Sequence, residues 1–131
     1  EVWSELIIVN SKEEILYESG VVKNFEPLNI NDPELLLFTT TFLDDNGNPV
    51  NSITQTYDMI DNSLPAFGQR FHSYNIDNIS EISDYIIIKV RLLFRSFKPD
   101  LLYIDHPELL DNLPIFEISS IVDTLYVISS E

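Results

Sequence analysis

The segment Tyr85-Ile-Ile-Ile-Lys-Val-Arg-Leu-Leu-Phe-Arg-Ser-Phe-Lys98 does most to limit what this chain can fold into. In an extended backbone, Ile86, Ile88, Val90, Leu92 and Phe94 fall on one side. Ile87, Lys89, Arg91, Leu93 and Arg95 fall on the other. A strand buried on both faces of a parallel sheet reads as a continuous apolar run, whereas this one alternates. It therefore predicts a half-buried strand of an antiparallel sheet over Ile86–Phe97, the longest strand expected in the chain. It also concentrates charge: Lys89, Arg91, Arg95 and Lys98 are four of seven basic residues, and the rest of the chain sets 22 acids against three bases.

A basic stripe on an acidic body must find acids. Three settings satisfy it. The cations can pair with carboxylates on adjacent strands, at roughly 0.2–1 kcal/mol per cross-strand pair. They can sit on an edge strand, where charge blocks aggregation. They can meet the acidic surface of another molecule and set its orientation. The third makes Lys89, Arg91, Arg95 and Lys98 a partner-binding set. On that reading, reversing the charges of Arg91 and Arg95 abolishes association and leaves the monomer folded.

The other segments agree with an all-β chain. Val2–Val9 and Ile15–Glu18 read as strands, the second stopped by Ser19-Gly20. Residues 21–33 read as loop. Leu35–Leu43 reads as an apolar strand returning through Asp44-Asp45-Asn46-Gly47-Asn48-Pro49. Asn-Gly is a strong hairpin signal because both central residues take positive φ. Val50–Met59 is its expected partner, and Arg70–Ile76 alternates as a further strand. Asp100–Tyr103 and His106–Leu113 read as short helical turns, Pro107 suiting a first helical position. Ile115–Ile118 and Thr124–Ser129 read as final strands. The expectation is one domain over residues 1–131: an antiparallel β-sandwich, immunoglobulin-like or jelly-roll-like, with seven or eight strands and one or two short helical turns.

At net charge −15 the surface repels nucleic acid and anionic membrane. A hydrophobic fraction of 44% separates it from disordered acidic chains. There is no cysteine, hence no disulfide, no thiolate metal site and no Cys-x-x-Cys-His haem attachment. No apolar run reaches the ~20 residues that span a bilayer. A chain opening on Glu1 fits a processed mature protein or a trimmed one.

Candidate chemical sites are few. Asp44, Asp45, Asn46 and Asn48 crowd oxygen ligands as Ca²⁺ requires, with Asp58, Asp61 or Asp77 as further donors. The alternative is a polar hairpin turn, and the spacing is not that of an EF-hand. The only histidines, His72 and His106, have no second His at ligand spacing. Glu13-Glu14 and Asp44-Asp45 invite a glycosidase reading, but with 22 acids such pairs are inevitable. No nucleophile elbow, phosphate loop or His-Glu-x-x-His is present. Asn78-Ile79-Ser80 is the one N-glycosylation acceptor.

Two stretches carry a family resemblance. One is Tyr57-Asp-Met-Ile-Asp-Asn-Ser-Leu-Pro65 running into Arg70-Phe-His-Ser-Tyr74. The other is Lys89-Val-Arg-Leu-Leu-Phe-Arg-Ser-Phe-Lys-Pro-Asp-Leu-Leu102, followed by Leu113-Pro-Ile-Phe-Glu-Ile118. Together with Val2-Trp3 and Tyr17-Glu-Ser-Gly20, they resemble the C-terminal β-sandwich region of secreted multihaem c-type cytochrome-family proteins. The resemblance lies in strand and turn pattern, and the haem-attachment motif is absent. It implies an extracytoplasmic accessory module without covalent haem and carries over no catalytic residue.

The functional expectation is a secreted, extracellular or periplasmic β-sandwich that is not an enzyme and acts by protein–protein association. The partner is another copy, giving a filament or other homopolymer, or a multihaem cytochrome in electron transfer; the flanking strands Val2–Val9 and Leu125–Ile128 are apolar enough to add edges across such an interface. A carbohydrate-binding module is the further alternative. Calcium is the one candidate cofactor.

Overall fold

Trp3, Leu6, Ile8 and Val9 are all buried, although they point to both sides of the first strand. Burying both faces requires cover on both sides of the sheet, and β1 (Val2–Asn10) has it. The computed structural model describes residues 1–77 and 84–128. Within them β1 lies between β2 (Ile15–Ser19) and β6 (Tyr85–Arg95), and β7 (Ile115–Tyr126) flanks β6 on the far side. All three pairings are antiparallel. A smaller antiparallel sheet has β3 (Thr40–Leu43) between β4 (Pro49–Val50) and β5 (Asp58–Asp61). Helix α1 (Pro99–Asp105) and a 3₁₀ turn (Pro107–Asn112) connect β6 to β7, each opening on its proline. The fold is all-β, with antiparallel sheets and short helical turns, as expected.

The larger sheet carries one hydrophobic cluster on each face. Trp3 and Leu93, opposite each other in register, pack with Leu28, Val22, Leu35, Leu37 and Ile115. On the other face Leu6, Ile8 and Ile86 pack with Tyr74, Ile76, Ile88 and Val90. Both covers are irregular segments, residues 22–37 and 74–76. Neither cluster draws on the smaller sheet.

Several elements differ from the sequence reading. Leu35–Leu43 is not one strand. Its first half lies beside β1, through Ser4 N–H to Leu36 C=O at 2.9 Å and Phe38 N–H to Val2 C=O at 2.8 Å. Its second half is β3, so the stretch changes sheets. Val50–Met59 is split by a 3₁₀ turn at Ile53–Gln55. Arg70–Ile76 forms no strand. Its alternation is nevertheless used: Arg70 donates to Asn62 C=O (2.7 Å) and Leu37 C=O (3.3 Å), and Tyr74 Oη donates to Ser4 Oγ at 3.1 Å. Side chains, not a backbone ladder, fasten this segment. The two expected final strands are one continuous strand, β7. Asn78-Ile79-Ser80 lies outside the described residues. Among the described residues no helix is long and apolar enough to cross a membrane.

Candidate interaction surface

The four cations expected to form one surface stripe occupy four different settings. Lys89 is exposed. Arg91 faces Glu5 across the β1–β6 pair, and its Nε and Nη2 donate to the two Glu5 carboxylate oxygens at 2.7 and 2.9 Å. Its Nη1 lies 3.7 Å from Glu117 on β7. The Glu5 side chain is 4% exposed and that of Arg91 43%. The two-pronged bond to Glu5 raises the guanidinium pKa further and outweighs partial burial.

Arg95 is fully buried. Its Nε and Nη2 donate to Glu1 Oε2 at 3.1 and 2.5 Å, and its Nη1 to the carbonyls of Asn24 (3.2 Å) and Glu26 (2.6 Å). Its Cζ stands 5.3 Å from the centre of a Trp3 ring, within cation–π range. The unbroken β1–β6 register puts Leu93 and Arg95 on the Trp3 face, where both are buried; the β-bulge opposite Leu92/Leu93 lies on β7 and brings Glu117 opposite Leu93. Lys98 is half-buried at the start of α1. It lines an open groove of about 280 Å³ with Thr39, Thr41, Pro49 and Asn51, whose charged liners are Lys98 and Glu1.

The edge-strand reading fails because β6 is internal to its sheet. The cross-strand reading describes Arg91. Arg95 cannot touch a partner from its buried position. Reversing its charge would put an acid against Glu1, so the Arg91/Arg95 double reversal tests folding, not docking.

The Asp44–Asn48 loop is a hairpin turn whose ligands are largely engaged. Asp44 Oδ1 accepts from Asn46 N–H (2.9 Å) and Asn48 N–H (2.8 Å), and Oδ2 accepts from Asn48 Nδ2 at 3.3 Å. These bonds, led by that from Asn48 N–H, lower the Asp44 pKa. Asn46 Nδ2 donates to Asp45 Oδ1. Asp58 Oδ1 accepts from its neighbour Met59 N–H. Asp61 binds Thr40 and Ser63 at the far end of the β3–β5 pair, and Asp77 is exposed elsewhere in the chain. Among the described residues no three His, Cys, Asp or Glu side chains cluster as a metal site. His72 Nε2 lies 3.2 Å from Glu34 C=O and stacks edge-on with Tyr74, while His106 Nδ1 lies 3.2 Å from Glu108. Both belong to local packing.

Comparison with known proteins gives no match: no protein-family model, no curated protein and no solved structure is similar to the chain. The cytochrome resemblance rests on its strand-and-turn pattern alone.

The surface the sequence singles out only in part, at Leu125–Ile128, is β7. It is twelve residues long and forms one edge of the larger sheet. Ile121 is 69% exposed, Val122 63% and Tyr126 75%, with Phe116, Ile118 and Leu125 about half exposed. Residues 121 and 125 share one face, 122 and 126 the other, so the edge is apolar above and below. The signal was available in the apolar run Ile115–Ile128, but Ser119-Ser120 and Asp123 divide it into two short pieces when read locally. Of the two flanking strands expected to add edges across an interface, Val2–Val9 is central instead, and Leu125–Ile128 begins within the last residues of the edge strand β7.

Proposed function

We propose that the chain is a non-catalytic protein–protein association module and that the outer edge of β7 is its docking element. The observation carrying this reading is a long, apolar edge strand that, among the described residues, is paired on one side only. Proteins ordinarily protect such edges with lysine, proline or very short strands. β7 has no lysine and no proline, and at twelve residues it is long. Its charges are Glu117, which reaches Arg91, and Asp123. An added strand takes up the outward backbone groups of such an edge, and flanking side chains give selectivity. Lys89 and the exposed part of Arg91, on the neighbouring strand, orient an approaching partner.

Photo-crosslinking tests this. A benzoylphenylalanine replaces Val122 in one protein and Ile104, an exposed residue of α1, in another. Both are irradiated as concentrated purified chain and in native extract. Adducts formed at residue 122 and not at 104 support the reading. Equal yields, or none, overturn it.

A further inference from the structure

We infer that the strand docking on β7 is β7 of a second copy, antiparallel about a two-fold axis through Val122, so that two four-stranded sheets become one of eight. This rests on the reading of β7 as the docking edge.

Backbone direction comes first. Val127 N–H donates to Asp84 C=O at 2.9 Å. Alternation along an antiparallel ladder then turns the backbone groups of Leu125, Asp123, Ile121 and Ser119 toward β6, and those of Thr124, Val122 and Ser120 outward. The Thr124 N–H agrees: it donates to Asp123 Oδ1, a side chain on its own strand, at 2.8 Å. The bulge opposite Leu92/Leu93 ends this regular run at Ser119.

Two outward edges exchange hydrogen bonds only where even-numbered residues face even-numbered residues. An axis at Asp123 sets two Asp123 carboxylates opposite each other. An axis at Ser120 sets Glu117 opposite Asp123. Like charges directly opposite are destabilising. An axis at Ile121 avoids this but carries its ladder into the bulge after the Ser120–Val122 pairs. An axis at Val122 keeps the Val122–Val122 pair and both Ser120–Thr124 pairs within the regular run, and faces each Asp123 with an uncharged Ile121.

Charge favours a second copy at this place. Strands β6 and β7 hold Lys89, Arg91 and Arg95 against Glu117 and Asp123, while the rest of the chain holds 20 acids and four bases. This is the part of the molecule where two acidic bodies repel least. The basic segment acts as local neutralisation of an edge. Long-range repulsion still opposes pairing, so salt strengthens it by screening. A basic foreign partner shows the opposite salt dependence. The contact is self-complementary and closes as a dimer.

Sedimentation velocity from micromolar to millimolar chain, at low and at physiological salt, tests this on wild type, Val122→Lys and Ile104→Lys. Val122→Lys places two ammonium groups at the axis on a residue exposed in the monomer. The expected result is a reversible dimer of the 15.1 kDa chain, favoured by salt, retained in Ile104→Lys and weakened at least tenfold in Val122→Lys. A monomer at every concentration and salt, an open polymer, or a dimer indifferent to Val122→Lys overturns the inference. A monomer that still gives foreign adducts from residue 122 sinks the second copy but leaves β7 as the docking edge. Absence of adducts sinks both.

Discussion

Arg91 and Arg95 stand four residues apart on β6, and their surroundings assign them different work. The Arg95 guanidinium joins Glu1, the 24–26 loop and Trp3 inside one cluster. Arg95→Ala strips partners from a nearly buried carboxylate and two carbonyls, and breaking a buried pair costs about 3–5 kcal/mol. Arg91→Ala also orphans a buried carboxylate, Glu5, but water reaches the half-exposed guanidinium side. Its cost falls between the exposed and buried cases, about 1–3 kcal/mol. Urea denaturation of both variants checks the order, and an Arg91 variant less stable than the Arg95 variant contradicts it. The sequence shows that these cations need acids. Which acids depends on the β1–β6 register and on a bulge, both products of the assembled sheet.

Elements were legible where pattern and local chemistry agree. β1, β2 and β6 fall within a residue or two of their expected spans, and Pro99 and Pro107 open the helical turns. Gly20 shows why β2 ends where it does. Its φ is +70°, its carbonyl accepts Trp3 Nε1–H at 2.9 Å, and a Cβ there would stand 2.5 Å from Ser4 C=O. At Gly47, φ is +81° and a Cβ would meet nothing within 4 Å. Gly47→Ala therefore costs only the left-handed backbone, about 1–2 kcal/mol. Gly20→Ala adds a backbone clash beside Trp3 and should lower the melting temperature more. Equal losses would contradict this account of the turn. Elements were misread where tertiary partners choose among extended conformations. Residues 35–43 divide between two sheets, and Arg70–Ile76 keeps a strand's alternation while its side chains take all its anchors. Neither choice is local.

At the scale of the whole molecule, the sequence established an all-β fold and a polarised charge distribution. It placed the contact on the cations, with Val2–Val9 and Leu125–Ile128 as added edges; in the structure the first is central, and the second overlaps the end of β7, the open apolar edge one strand further out. Edge status is a property of strand order, which local pattern does not encode. The central claim concerns that edge, and residue-resolved amide hydrogen exchange at low and high chain concentration tests it most directly. Amides turned toward β6, such as Ile121 and Leu125, should be protected at both concentrations. Ser120 and Val122 should exchange rapidly when dilute and become protected when concentrated. Unchanged exchange at Ser120 and Val122, or new protection appearing instead along residues 15–19 of β2, would contradict the account.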